Sequence, residues 1–471
     1  MIGKSSDAHL SRLKNYIEWF FYGKLYPVIL ALTAFLFWMA DLQLVGFFIV
    51  VLFGSFALFF FDDILLTIPA LFTIPMTFRD SSVFNYSLTP YILLIPGLIA
   101  FIGHLLKFQR SKLKFDSLSF GIMGIMVAML IGGIGVGFNE NYKYGLSFVM
   151  IAGVAMLAVH FFYTNRTKLQ DKYDSKNYLC FSMVTVGNLA CFQLIYALVQ
   201  VIYLGSTDFQ FPYFCWANTN NIGYIILIAT PMCCYLILNA KNIIPYVVNV
   251  VFYYVCVFVT GSDGSICILL GFAPLLLYSV YLNISRKNYQ LLKTLYLIVI
   301  SGATLIVVYL FLFMPNVVNE FFNRATNDNL RGPLYSYAWE LFTSNPIFGV
   351  GVGHGIMNTQ EIHAGYFHST FFFSIASTGI VGLIAFVVLY ILRIKLITKG
   401  NTTLGLFTLM SFSMFALYSL IDVGEFHVVL LYITVIMSVT GVMNKKGNGD
   451  EPLPINKQFS FYPLRSNVDF V

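Results

Sequence analysis

Fourteen apolar runs, most of them near 20 residues long, divide this 471-residue chain almost from end to end. They lie at 25–40, 42–61, 64–78, 88–106, 117–137, 144–163, 178–204, 221–238, 243–260, 265–282, 291–314, 366–392, 402–421 and 426–443. An α-helix rises about 1.5 Å per residue and the hydrocarbon of a bilayer is about 30 Å thick, so roughly 20 apolar residues make one crossing. Lipid offers bare backbone no hydrogen bonds, and long continuous apolar runs satisfy that constraint as helices. The expected fold is an all-α polytopic integral membrane protein. Run 64–78 is short, carries Pro69 and Pro75, and follows its predecessor across only Asp62-Asp63, so the expected count is twelve to fourteen transmembrane helices. Only 10% of the residues are charged, against roughly a quarter in a soluble domain, which excludes a water-soluble enzyme.

A net charge of +6 suggests nucleic acid until the basic residues are placed along the chain. With a cytoplasmic N-terminus, loops on that side hold 23 of the 27 Lys and Arg residues, Arg393, Lys395 and Lys399 among them. Arg79, Lys143, Arg324 and Arg331 alone fall on the other side. Cytoplasmic loops of membrane proteins carry such an excess, so both termini are expected in the cytoplasm and no nucleic acid is needed to explain the charge. Residues 1–24 then form a basic amphipathic cytoplasmic segment with Trp19, Phe20, Phe21 and Tyr22 at the membrane edge. The first eleven spans occupy 25–314, a large outer loop 315–365, the last spans 366–443, and a polar cytoplasmic tail 444–471. Nothing in the N-terminal segment reads as a cleavable signal peptide. Six cysteines lie within apolar runs and Cys215 in an outer loop, without metal or disulfide spacing, and they read as small hydrophobes in helix packing.

The spans are nearly free of ionisable groups; His104 and His160 sit near cytoplasmic ends. Polar chemistry gathers on the outer face instead, where the 315–365 loop holds Arg324, Arg331, Glu340, His354, Glu361 and His363, with His368 just beyond. Three of the seven histidines fall within fifteen residues, and this concentration marks the candidate active site. A helix is expected from about Leu334 to Phe342, since Leu334, Tyr337, Ala338 and Leu341 recur at helical spacing, and Asn345-Pro346 ends it. Gly349, Gly351, Gly353 and Gly355 allow a tight bend or a close approach to a ligand. The run lacks the Lys-Ser/Thr of a phosphate loop, which disfavours nucleotide binding.

Arg331, Tyr335, the run Asn345-Pro346-Ile347-Phe348-Gly349-Val350-Gly351, His368 and Gly379-Ile380-Val381-Gly382 together resemble the signature of the O-antigen ligase and polysaccharide polymerase superfamily. Phe211-Pro212 and Trp216-Ala217-Asn218-Thr219-Asn220-Asn221-Ile222-Gly223 resemble its outer-loop Asn motif, and Thr260-Gly261-Ser262-Asp263-Gly264 stands at its Thr-x-Ser-Arg-Gly turn. The resemblance covers about residues 178–443. Two departures stand out: the family's arginine after the serine is Asp263, and its His-Asn pair is His368-Ser369. The resemblance implies a membrane glycosyltransferase that moves glycan from an undecaprenyl-diphosphate-linked donor to an acceptor hydroxyl at the outer face of a bacterial inner membrane. Expected partners are that donor, a glycan or lipid acceptor, membrane lipids, and a flippase and chain-length regulator. No cofactor and no metal are expected.

The residue chemistry fits this implication. Arginine's fork donates two parallel hydrogen bonds to phosphate, and a histidine that titrates near neutrality suits proton removal from a hydroxyl. His368 and Arg331 are therefore the candidate catalytic residues, with Arg324, Arg79, His363, His354, Asn218, Asn221 and Asp263 as candidate substrate ligands. Structural alternatives stand beside each role. Arg331 and Arg79 are also placed to act as interfacial anchors, and His368 to cap the helix that follows it. Asn218 and Asn221 are placed to cap the span beginning at 221, and Asp263 the helix beside it. The altered turn and His-Asn pair tilt the reading toward a repeat-unit polymerase; a ligase acting on lipid A core or another acceptor is the alternative. A lipid-linked oligosaccharide flippase is the rival of another class, though it would carry polar groups along its spans or inverted repeats.

Overall fold

A computed structural model describes residues 13–79, 88–108, 114–136, 146, 148–167, 173–203, 219–284, 294, 331–353, 367–400, 402–422 and 424–446. Among these residues every regular element is helical. Thirteen of the fourteen expected runs appear as helices, and the remaining one, 291–314, lies outside the described residues except for Thr294. Seven helices are long and apolar enough to cross a membrane: Gln43–Phe60, Thr89–Phe108, Val149–Arg166, Ser175–Gln200, Thr219–Asn239, Asp263–Asn283 and Thr370–Thr398. The basic segment Leu13–Tyr22 meets Leu25–Met39 at 70°, so an elbow joins the amphipathic start to the first apolar helix. Shorter apolar helices cover Ile64–Thr77, Ser117–Ile131, Ile244–Val259, Thr403–Ser419 and Val429–Asn444. Only 11% of Thr89–Phe108 is buried, with Leu98 and Ile99 more than half exposed. An apolar face that large is stable in lipid and would aggregate in water. The molecule is a multi-pass membrane protein.

The short run 64–78 is broken but not lipid-facing. It forms the 3₁₀ turn Ile64–Thr67, the helix Ile68–Thr73 and the 3₁₀ turn Ile74–Thr77, each restart carrying a proline in its first turn, where the missing N–H is not needed. Ile64, Leu65, Leu66, Ile68, Phe72 and Met76 are all fully buried. Asp63 starts the run by accepting the Leu65 N–H at 3.0 Å, and its other oxygen accepts the Tyr173 hydroxyl at 2.6 Å.

Helix Thr219–Asn239 is the axis of the bundle, buried from Asn221 to Ile237, and it packs between Ser175–Tyr203, Ile244–Val259, Asp263–Asn283 and Thr403–Ser419. Five of the six described cysteines are buried, and Cys267 is exposed. Asp116 caps Ser117–Ile131 through the Ser119 N–H at 2.9 Å and accepts from His160 Nε2 at 2.9 Å, while His160 Nδ1 meets Ser438 Oγ at 2.8 Å. Burial would raise the Asp116 carboxyl, but the hydrogen bond and charge of His160, with the Ser119 donors, hold it well below the usual carboxylate range.

Arg393 departs from its expected place in a cytoplasmic loop. It is fully buried within Thr370–Thr398 and pairs with Glu425, so it does not count toward the loop charge.

Candidate functional site

Thr370–Thr398 is two helices joined at Gly379, whose φ of 61° and ψ of −155° are open only to glycine. A break inside a helix strands carbonyls on one side and N–H groups on the other, and in an apolar bundle each must be met. The loop after helix Arg331–Ser344 meets them. Val350 N–H donates to the Ala376 carbonyl at 2.8 Å and Gly351 N–H to Ser377 at 3.0 Å. On the other side Ile380 N–H donates to Pro346 at 2.9 Å and Val381 N–H to Ile347 at 3.3 Å. The contact is backbone on backbone. A Cβ on Gly379 would lie 2.4 Å from the Ile347 oxygen, and one on Gly349, at φ 63°, would lie 2.5 Å from the Ala376 oxygen. Gly349 and Gly351 thus splint a broken helix, and this is the close approach that their spacing allowed. The two motifs of the resemblance, Asn345–Gly351 and Gly379–Gly382, are one structural unit.

The break aims the first half, 370–378, so that its start meets the connection between Thr403–Ser419 and Val429–Lys446. Thr370 N–H donates to the Asp422 carbonyl at 3.1 Å, and Ser369 caps the half-helix through the Phe372 N–H at 3.4 Å. His368 stands one residue before this cap with φ 42°, and Phe367 before it has φ 23°. Both are left-handed conformations that side chains with a Cβ rarely adopt, and such strain persists where surrounding contacts impose it. Here the contacts are a buried Phe367 ring and the Tyr335 hydroxyl, which donates to the His368 carbonyl at 3.3 Å. Tyr335 also stacks on Phe372, with centroids 4.3 Å apart and planes at 12°.

His368 Nδ1 lies 3.8 Å from Asp422 Oδ1; the imidazole is 34% exposed and the carboxylate 7%. A buried carboxylate this close to a reachable imidazole is placed to orient the ring. Asp422 was not among the sequence candidates. Its signal was faint: Asp422 and Glu425 are simply the two acids of the largely apolar stretch 403–443.

Arg331 opens helix Arg331–Ser344, which extends the expected 334–342 by about a turn and seats Leu334, Ala338 and Leu341 inward. Elsewhere, the Tyr418 hydroxyl makes a short contact with Ser262 Oγ, and Ser262 Oγ lies 3.0 Å from Ser265 Oγ. Ser262 belongs to the turn 260–264, where Gly261 takes φ 64° and the Ser262 N–H donates to Thr260 Oγ1 at 3.2 Å. Asp263 is the first residue of the next helix, a position that favours an acid, and the capping position is Ser262. The turn of the resemblance therefore carries a buried hydroxyl cluster.

Asn221 is buried inside the first turn of Thr219–Asn239 and does not cap it, because the helix begins two residues earlier than expected. Its Nδ2 has no hydrogen-bond partner among the described residues. Arg79 uses its fork elsewhere. Its Nε and Nη2 donate to the Trp38 carbonyl at 3.0 and 2.8 Å, Nη2 also to Met39 at 3.1 Å, and the group lies 5.3 Å from the Trp38 ring. That places its cation at the carbonyl end of Leu25–Met39, with Asp41 3.5 Å away. Arg324, His354, His363 and Asn218 lie outside the described residues.

Residues 248–387 match the family model described as O-Antigen ligase. A search of curated proteins returns no match. The matched stretch contains the hydroxyl turn, Arg331, the splint, His368 and the break at Gly379, whereas Asp422 and Glu425 lie beyond it. Over residues 248–387 the chain is thus similar to the O-antigen ligase family.

Proposed function

We propose that the protein transfers glycan from a polyprenyl-diphosphate-linked donor to an acceptor hydroxyl at the outer face of a bacterial inner membrane, as the polymerase of a surface-polysaccharide repeat unit. The observation that carries the reading is His368, held in a strained backbone beside the buried Asp422 and near the helix headed by Arg331. His368 takes the proton of the acceptor hydroxyl, whose oxygen bonds to the anomeric carbon of the donor. The bond from that carbon to the phosphate oxygen breaks, and the electron pair leaves with the lipid diphosphate. Arg331 holds the growing phosphate charge through its paired donors, and Asp422 stabilises the imidazolium formed in the step.

The ligase reading has the same chemistry with lipid A core or another acceptor. Favouring the polymerase are Asp263 and Ser369, which replace the arginine and asparagine of the resemblance. The glycan profile of a deletion strain separates the two. Single repeat units still attached, with long chains lost, is the expected result; loss of all attached glycan would establish the ligase. Purified protein given lipid-linked repeat units should release free lipid diphosphate as products lengthen, and a protein that moves the units across a vesicle membrane without joining them is a flippase.

A further inference from the structure

Beneath the His368–Asp422 pair lies a second ionic site that the reaction itself does not use. Arg393 is wholly buried and Glu425 is 1% exposed, and they form a two-pronged pair, Nη1 to Oε1 at 2.5 Å and Nη2 to Oε2 at 3.0 Å. The Tyr390 hydroxyl donates to the same Oε1 at 2.8 Å, Nη2 also meets the Met156 sulfur at 3.1 Å, and the guanidinium lies 5.4 and 5.7 Å from the Tyr390 and Phe412 rings. Such a pair is a poor device for stability. Stripping water from two charges offsets most of their attraction, and apolar residues of similar volume serve as well or better. Charged groups within a membrane bundle need another reason to be there.

Geometry supplies one. Arg393 and Tyr390 belong to the second half of the broken helix, and His368 precedes the first half. The turn Gly424–Phe426 touches both: the Phe426 ring is 4.6 Å from Phe373 and 6.0 Å from Phe386, and Glu425 holds Tyr390 and Arg393. In a straight helix Phe373 and Arg393 would stand about 30 Å apart. Asp422 is three residues before Glu425, with its carbonyl tied to Thr370 at the start of the first half. The turn is therefore a strap across the break, anchored at one end by Thr370 and at the other by Arg393. Asp422 stands at the Thr370 end of this strap, with its carboxylate 3.8 Å from His368 Nδ1.

We propose that Arg393 and Glu425 are positioning residues that hold Asp422 against His368, an inference that rests on His368 being the acceptor base. Breaking the pair frees the strap and withdraws the carboxylate without touching donor or acceptor. The test uses the purified full-length chain in proteoliposomes with lipid-linked repeat units. Glu425→Gln, folded by size-exclusion and thermal melt, should lose about 10- to 100-fold in kcat with KM nearly unchanged, the cost of a misplaced catalytic group. The same change in an Asp422→Asn background should cost little more, because the carboxylate that it positions is already gone. The exchange Arg393→Glu with Glu425→Arg should recover part of the loss. Tyr390→Phe removes one hydrogen bond to Glu425 and should give a smaller fall in kcat; it carries the test if Glu425→Gln does not fold. Full turnover in folded Glu425→Gln, or in Tyr390→Phe where that variant carries the test, contradicts the proposal. So does a loss of equal size in both backgrounds, which marks a merely structural pair. Failure of the underlying reading looks different: His368→Ala itself would then retain turnover.

Discussion

His368 carries two costs that a solvent-exposed histidine would shed, a left-handed backbone and a nearby buried carboxylate. Both are imposed by neighbours: Phe367 is packed, Tyr335 holds the His368 carbonyl, and Thr370 ties the following turn to Asp422. Asp422→Asn keeps the shape but turns one acceptor oxygen into a donor and removes the negative charge beside His368. It should reduce kcat by about 10- to 1000-fold in a reconstituted assay, within the range of a general base, with protein levels unchanged. Arg331→Lys should also remain badly impaired, since lysine keeps the charge but not the fork; near-normal turnover would assign Arg331 to bulk attraction or anchoring. At this scale the sequence singles out His368 because histidines cluster there, and Arg331 because arginine is rare on the side that the charge bias assigns to the outside. Asp422 was hidden because its meaning depends on a contact 54 positions away in the chain, between His368 and itself.

The broken helix is the element on which the site is built, and Gly379 is its most sensitive position. Gly379→Ala forces a Cβ into the Ile347 carbonyl at a φ that alanine rarely adopts, so the break and splint must both shift. The expected cost is about 1–3 kcal/mol from backbone strain, with activity lost through His368, read by thermal melting and turnover together. At the far side of the bundle, Asp116 joins three helices through its cap and His160. Its folded pKa is depressed, so its contribution is present above the unfolded value of about 3.9 and is lost as pH falls through the folded one. The melting temperature should fall as pH drops from about 5 to 3, and Asp116→Asn should weaken that dependence while costing about 0.5–2 kcal/mol of cap at neutral pH. Helices were legible as elements because each needs only its own run of side chains. Their breaks were legible at prolines, as at Pro69 and Pro75, and as a glycine motif at Gly379. That the glycines of one motif splint the break in the other was not, because it is a pairing of backbones.

At the scale of the whole molecule, a large lipid-facing surface surrounds an axial helix, Thr219–Asn239, that touches little but protein. The orientation that we propose from the charge bias of the sequence puts Asp174 on the cytoplasmic side and Asn141 outside. Single cysteines at these two positions, in a background stripped of its native cysteines, should differ in intact cells: Asn141→Cys reacts with an impermeant reagent and Asp174→Cys does not. Labelling of Asp174→Cys would reverse the orientation and put His368 on the cytoplasmic side. The central claim, that a histidine placed by a broken helix is the base for glycan transfer, is tested most directly by turnover of purified variants on lipid-linked repeat units. His368→Ala should lose about 100- to 10,000-fold in rate with the protein still folded, while His354→Ala and His363→Ala lose much less. Substantial turnover by folded His368→Ala would contradict the account.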